Sequence, residues 1–175
     1  MSNIIEQILF RLGGNNLRIA LARKWGVQIG KGCIINPPCR FGAAAYLISI
    51  RNDCVLAGDN TFLAYDAAIR IFLRSKAHKE IGTLCGPIVI RDNCFIGYRA
   101  IILPNVIIGP NSVVGAGSVV TKNIPPNTVY AGSPAKFIST YEEYFEKCKL
   151  RSTGNIPRHL RKKTLIKMFK EILNS

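Results

Sequence analysis

The chain has 175 residues, 48% of them hydrophobic, with 24 Lys and Arg against 10 Asp and Glu for a formal net charge of +14. That is enough apolar material for one ordinary domain with a real core, and it excludes a disordered chain. No apolar run approaches the roughly 18 residues that a membrane span needs, and the first residues lack the long apolar stretch and small-residue cleavage site of a signal peptide, so a cytoplasmic protein is expected.

Residues 3–12, NIIEQILFRL, place Ile4, Ile5, Ile8, Leu9 and Leu12 at helical spacing, and Gly13 and Gly14 break the run. Asn15 or Asn16 is positioned to cap a second short helix through Trp25, because a side-chain oxygen there satisfies an otherwise orphan amide. Trp25 reads as packing. Residues 1–26 are expected to form a helical cap over the edge of the structure that follows, since a bare sheet edge recruits other chains.

From Ile29 onward a bulky apolar residue returns every sixth position: Ile29, Ile35 and Phe41, then Ile50, Leu56 and Phe62 after a step of nine. Nine is six plus three, so a bulge is expected near Gly42–Leu47. Phe62 and Ile90 are 28 positions apart, four more than a multiple of six, so a loop is expected to leave the repeat at about 63–87. It carries Arg70, Arg74, Lys76, His78 and Lys79, and long loops in compact repeats are usually functional or disordered. From Pro87 to Pro125 the period is strict, with Ile90, Ile96, Ile102, Ile108, Val114 and Val120. Four places after each stands a small or modest residue: Cys94, Ala100, Val106, Ser112, Ser118 and Ile124.

A helix would repeat its apolar positions at 3.6 residues and an amphipathic strand at 2. A fixed short period of six matches neither and points to stacked coils, one face per repeat, each burying its aliphatic residue only against the next coil. Cys33, Cys39, Cys54 and Cys94 fall four places after Ile29, Ile35, Ile50 and Ile90, so they read as buried, reduced corner fillers rather than a disulfide framework. No C-x-x-C spacing occurs. Cys85 and Cys148 lie outside the repeat.

Past Pro126, NTVYAGSPAKFI ends the column. Ser139 and Thr140 stand three residues before Glu142 and Glu143, the spacing of a capping box, so YEEYFEKCKL is expected to open a helix. After the polar linker RSTGNIP, Leu165, Ile166, Phe169, Ile172 and Leu173 mark a second amphipathic helix. Residues 141–175 hold nine Lys or Arg against four Glu. This reads as a solvated helix face, with contact to an anionic membrane surface or a phosphate-bearing substrate as alternatives. No aromatic-and-basic platform, helix-turn-helix or zinc pattern accompanies the charge, so no nucleic acid is expected.

Over roughly Ile29–Ser139 these residues resemble the hexapeptide-repeat acyltransferases. The resemblance implies a left-handed parallel β-helix, a hand opposite to the usual right-handed crossover. It divides the chain into a helical cap (1–26), the β-helix (27–138) and a helical basic tail (139–175). It also implies a homotrimer with acetyl-CoA in a groove between neighbouring subunits, and a carbohydrate acceptor. The tail FISTYEEYFEKCK is similar to that of relatives that modify surface-polysaccharide sugars.

Pantetheine is a thin chain with two amides and suits a wall without bulky side chains, which Gly115, Ala116, Gly117 and Ser118 supply. By resemblance Ala116 contacts CoA through its backbone, Gly117 continues the wall, Thr121 and Lys122 match the family's Thr-Lys pair, and Lys136 matches the basic place of its AGNPAK-like segment. Tyr98 and Arg99 match the position flanking the thiol end. For the glycines the alternative is turn geometry, since a coil corner often needs positive φ.

An alcohol acceptor needs a general base. The related O-acetyltransferases carry a His where this chain has Tyr65 or Ala67 within FLAYDAA; the Asp is kept as Asp66. Tyrosine, with an unperturbed pKa of about 10, is a poor base at neutral pH. The chain has only two His, His159 in the basic tail and His78 in the loop. Three readings follow: an O-acetyltransferase with a relocated base, His78 or Asp66; an amino-sugar N-acetyltransferase needing no strong base; and a non-catalytic member that binds CoA or only assembles. No metal is expected, because the metal-dependent enzymes of this architecture use three His. The sugar nucleotidyltransferases place a large domain before the column, for which 28 residues leave no room.

Overall fold

The computed structural model describes residues 3–68, 70–73, 82 and 84–173. The chain forms two compact units, divided between Glu142 and Glu143.

Helix α1 (Ile4–Leu12) starts where the Asn3 side chain accepts from the Glu6 amide at 2.8 Å. Its buried residue is Phe10, whose ring lies 5.1 Å from Trp25 and meets Phe41 edge-on at 6.3 Å. Ile4, Ile5, Ile8, Leu9 and Leu12, the stripe picked out by helical spacing, are between 43% and 83% exposed. Helix α2 (Asn15–Lys24) follows, with Gly14 as its N-cap and no side-chain cap. The expected asparagine cap is thus corrected. Asn15 instead donates to Cys33 O and accepts from Ile35 N, both at 2.8 Å. Its amide thereby satisfies backbone groups on an edge strand that has no further strand to pair with.

The chain then winds through three sheets in strict rotation. The first coil is β1 (Gln28–Ile29), β2 (Ile34–Ile35) and β3 (Cys39–Arg40); the second is β4 (Ile48–Ile50), β5 (Val55–Leu56) and β6 (Asn60–Phe62). Between them a 3-10 turn, Ala45–Leu47, buries Ala44 and Ala45 and accounts for the nine-residue step. After β6 an excursion leaves the column as an antiparallel pair, β7 (Tyr65–Asp66) and β8 (Leu84–Cys85), with the short helix α3 (Arg70–Leu73) between them. The column resumes with β9 (Ile88–Ile90), β10 (Phe95–Ile96) and β11 (Ile101–Ile102), then β12 (Val106–Ile108), β13 (Val113–Val114) and β14 (Val119–Val120). It ends in β15 (Thr128–Ala131), which turns back antiparallel as β16 (Lys136–Thr140).

The first sheet is β1-β4-β9-β12, the third is β3-β6-β11-β14, and the second runs β2-β5-β10-β13-β15-β16. Every pairing between successive coils is parallel. The chain is therefore β-rich with parallel sheets, and among the described residues no barrel closes. Register brings the six-residue ladder into columns: Ile29, Ile50, Ile90 and Ile108 in the first sheet, Ile35, Leu56, Ile96 and Val114 in the second, and Phe62, Ile102 and Val120 in the third. Phe41 stacks on Phe62 at 5.3 Å. All are buried, and each contributes on the order of 1.5–3 kcal/mol.

The small residues at the corners do more than fill space. Cys33, Cys54 and Cys94 donate their thiols to Arg51 O, Arg91 O and Gly109 O at 2.9, 3.0 and 2.9 Å, and the Ser112 hydroxyl donates to Pro125 O at 2.9 Å. Each therefore bonds a carbonyl of the next coil. Beside them Asn93, Asn111 and Asn127, all with φ near +55°, form a second ladder in which each Asn amide donates to the next at 2.8 and 2.9 Å.

Helix α4 (Tyr141–Arg151) begins where expected, with Tyr141 N donating to Asn127 O. Ser139 does not cap it. It lies in β16 opposite Val129, with its hydroxyl buried and unpartnered. In the second unit the expected single amphipathic helix is divided at Phe169 into α5 (Arg158–Met168) and α6 (Lys170–Leu173). Among the described residues no helix is long and apolar enough to cross a membrane.

Candidate active site

The outward side chains of the third sheet form one row, Arg40, Thr61, Ile101 and Val119, set by the pairing of β3, β6, β11 and β14. Two corners border this face. The corner entering the third sheet carries Gly58–Asp59, Gly97–Arg99 and Gly115–Gly117 on successive coils, and the corner leaving it carries Leu63–Tyr65, Leu103–Asn105 and Thr121–Asn123.

At the entering corner the turns stack through their backbones. Gly97 allows this closeness, because a Cβ there would lie 2.5 Å from Ala116 N. Among the glycines of the expected wall only Gly117 has a positive φ, at +68°, and it faces open space. Gly115 needs its missing side chain for another reason: a Cβ would fall 2.7 Å from Ala131 Cβ. Close approach between coils, more than φ, explains these glycines. Ala116 and Gly117 are exposed, and Gly117 N donates to Tyr98 O at 2.7 Å.

Thr121 and Lys122, both exposed, follow the other end of β14. Val119 N donates to Gly132 O, and Ala135 N donates to Val119 O, so residues 132–135 run beside β14 and deliver exposed Lys136 to the same region. Ala116, Gly117, Thr121, Lys122 and Lys136 are thus gathered around one strand.

Tyr98 is half exposed, and a Cβ on Gly58 one coil below would come within 3.1 Å of its ring. Arg99 occupies the left-handed region at φ +60°, unusual for so long a side chain. Asp59 stands on the preceding coil at the same corner and binds two arginines: Arg99 Nε donates to Oδ2 at 3.0 Å and Arg40 Nη1 to Oδ1 at 2.6 Å. The hydrogen bonds from Arg40 and then Arg99 hold the Asp59 carboxyl below its ordinary range, and Asp59 in turn raises Arg99. Arg40 and Asp59 were missed in the sequence. The available signal was that Asp59 holds the same repeat position as Arg99 once the excursion is removed.

Of the proposed acid-base residues, Tyr65 and Asp66 stand on a strand that pairs with β8 and not with β14. Tyr65 is half-buried and packs on the core, while exposed Asp66 accepts from Ala68 N at 2.8 Å. Both belong to β7, at the root of the excursion. His78 falls outside the described residues, and His159 is exposed on α5 in the second unit. Among the described residues no cluster of three or more His, Cys, Asp or Glu is arranged to hold a metal.

Comparison with known proteins identifies the family of the chain. Residues 87–122 match the family model described as bacterial transferase hexapeptide, six repeats. The chain is 42% identical over 142 residues to Protein CapG of Staphylococcus aureus, covering 80% of this chain and 81% of that one. It is 32% identical over 156 residues to galactoside O-acetyltransferase of Escherichia coli strain K12, covering 78% and 77%. The hexapeptide-repeat-containing acetyltransferase VCA0836 of Vibrio cholerae, solved with acetyl coenzyme A, superposes with a TM-score of 0.53 at 25% identity, covering 78% of this chain and 83% of that one. The chain belongs to the bacterial hexapeptide transferase family, among its acetyl-CoA-dependent acetyltransferases.

Proposed function

We propose that the protein is a cytoplasmic homotrimer with a left-handed coil that moves the acetyl group of acetyl-CoA to a hydroxyl of a carbohydrate, in surface-polysaccharide synthesis. The observation that carries this reading is the gathering of Ala116, Gly117, Thr121, Lys122 and Lys136 around β14. The small residues offer pantetheine an open backbone wall. Lys122 and Lys136 offer the CoA phosphates charge-assisted bonds. Tyr98 and Arg99, on the adjacent coil, flank the thioester. In the reaction the acceptor oxygen bonds to the thioester carbonyl carbon, its proton passes to a base, and the carbon–sulfur bond breaks to release CoA. The bases available to this chain are Asp66 and His78, both carried by the excursion. The galactoside acceptor in the name of the E. coli relative supports a sugar hydroxyl as the target.

Trimer formation is supported by the outer row of the second sheet, Ile34, Val55, Phe95 and Val113, aligned across four coils. Ile34 and Phe95 are 47% and 42% exposed in the single protomer. Apolar side chains in such an aligned row fit an interface between copies. The cap, column and basic tail at 1–26, 27–138 and 139–175 remain the functional division we propose.

One observation favours an amine acceptor as a second reading. The position of the family histidine is held by Tyr65, which packs on the core, and an amine with a pKa near 8 attacks without a strong base. Thiol release from acetyl-CoA, measured with a panel of sugars and amino sugars, separates the two. Turnover on hydroxyl sugars that falls in Asp66→Asn or His78→Ala supports the first. Turnover on amino sugars alone, unchanged in both variants, supports the second.

A further inference from the structure

A cavity of about 850 Å³ lies between the helical cap and the first coil. Phe10 and Trp25 line it with aromatic surface, and Glu6, Arg11, Lys24 and Arg40 supply charge. Its size falls in the range of small-molecule sites, which are typically about 300–1,000 Å³ and pair apolar walls with a few placed polar groups. Trp25 is fixed in place: its Nε1 donates to Glu6 Oε2 at 2.9 Å, and Lys24 Nζ holds Glu6 Oε1 at 2.6 Å.

The charges do not cancel. Three cations face one carboxylate, and Glu6 is already engaged by Lys24 and Trp25. Among the described residues Arg11 has no acidic partner. Arg40 is shared with the column: one nitrogen binds Asp59, and through Asp59 the side chain is linked to Arg99. Arg40 is also the outermost member of the third-sheet row, three strands from β14. Three strand spacings amount to roughly 14 Å. Arg40 therefore places one wall of the cavity at the end of the third-sheet row whose other end is β14, around which the proposed CoA-binding residues gather.

We infer that this cavity is the acceptor site and that it takes a pyranose bearing a carboxylate or phosphate group. The ring stacks its C–H face on the part-exposed Trp25, which Phe10 backs from the core, and Arg11 and Arg40 bind the anion, since guanidinium groups match carboxylate and phosphate geometry. Glu6 is a positioning residue for Trp25. This assignment rests on the acetyl-transfer reading above and names the acceptor class for it.

Trp25 is the only tryptophan in the chain, so binding is read from its fluorescence without any turnover. Titration of the full chain with glucuronic acid, glucose 1-phosphate and glucose is expected to give a saturable change with at least one of the two anionic sugars, and at least tenfold weaker binding of glucose. Which anionic sugar binds more tightly distinguishes carboxylate from phosphate. Arg11→Gln, an exposed substitution outside the core, and Arg40→Gln are each expected to weaken the anionic sugar about tenfold, with little effect on glucose. Equal responses to all three sugars, or none, would overturn the site. Thiol release from acetyl-CoA with the same sugars separates this from the underlying reading. Transfer to glucose with no Trp25 response removes the cavity as acceptor site and leaves acetyl transfer to carbohydrate standing. A saturable Trp25 response with no transfer to any sugar keeps the anion-selective cavity, removes its role as acceptor site and overturns the transfer reading.

Discussion

Asp59 and Arg99, 40 positions apart in sequence, stack at the same corner of successive coils and are joined at 3.0 Å. Arg99 adopts the left-handed conformation that costs a residue with a Cβ on the order of 1 kcal/mol. Arg99→Gly is expected to relieve that cost while removing the guanidinium, leaving thermal stability unchanged or higher as kcat/KM falls at least tenfold. A melting temperature that drops sharply would show that the ion pair, not function, keeps an arginine there.

The same carboxylate makes a pH prediction. Arg40 and Arg99 depress the Asp59 pKa in the folded state, so its stabilising contribution is complete above the unfolded value of about 4 and is lost as pH falls through the lower folded value. Asp59 is solvent-accessible, so the effect is small. Acid unfolding followed by circular dichroism is expected to show a shallower decline below about pH 4 in Asp59→Asn than in the native chain.

Ile102 is wholly buried, whereas its neighbour Ile101 points to the outer face of β11. Ile102→Asp is expected to prevent folding, and Ile101→Asp to yield soluble protein with a normal circular dichroism spectrum. Soluble, folded Ile102→Asp protein would refute the register.

Four cysteines are buried, and Cys85 and Cys148 are exposed. Burial pushes the Cys39 thiol up to about 12, which further suppresses the reactive thiolate. A thiol titration is expected to count two fast groups in the native protein and all six after denaturation. Cys94→Ser keeps a donor to Gly109 O and should be tolerated better than Cys94→Leu, which overfills the corner.

Phe95→Asp places a charge in the apolar row of the second sheet. If the protein is the homotrimer we propose, this substitution converts it to monomers in sedimentation analysis with the coil's circular dichroism spectrum retained. A Phe95→Asp protein that stays trimeric would move the interface to another face.

The column was readable because a strict six-residue period leaves one way to bury Ile90, Ile96 and Ile102. The grouping of the proposed donor residues was readable for a related reason: Ala116 to Lys122 span one strand and its two corners, so their neighbourhood is fixed locally. Elsewhere the period was silent about the partner. The α1 stripe has helical spacing, yet Phe10 is the residue that reaches the core, because Trp25 and Phe41 lie on that side. Asn15 suited a cap, but an unpaired strand edge offered it two backbone groups together. Ser139 and Glu142 have capping-box spacing, but pairing of β16 with Val129 holds Ser139 extended. Asp59 with Arg99, and Glu6 with Trp25, are long-range pairs that no local pattern announces.

Across the excursion, β4 pairs with β9 and β6 with β11 as directly as any other successive coils. The column thus closes over the segment from Leu63 to Pro87 without losing a strand or a register step. The proposed bases Asp66 and His78 fall within that segment of the sequence, so changing its length in a variant is expected to alter turnover while the circular dichroism spectrum of the column is kept.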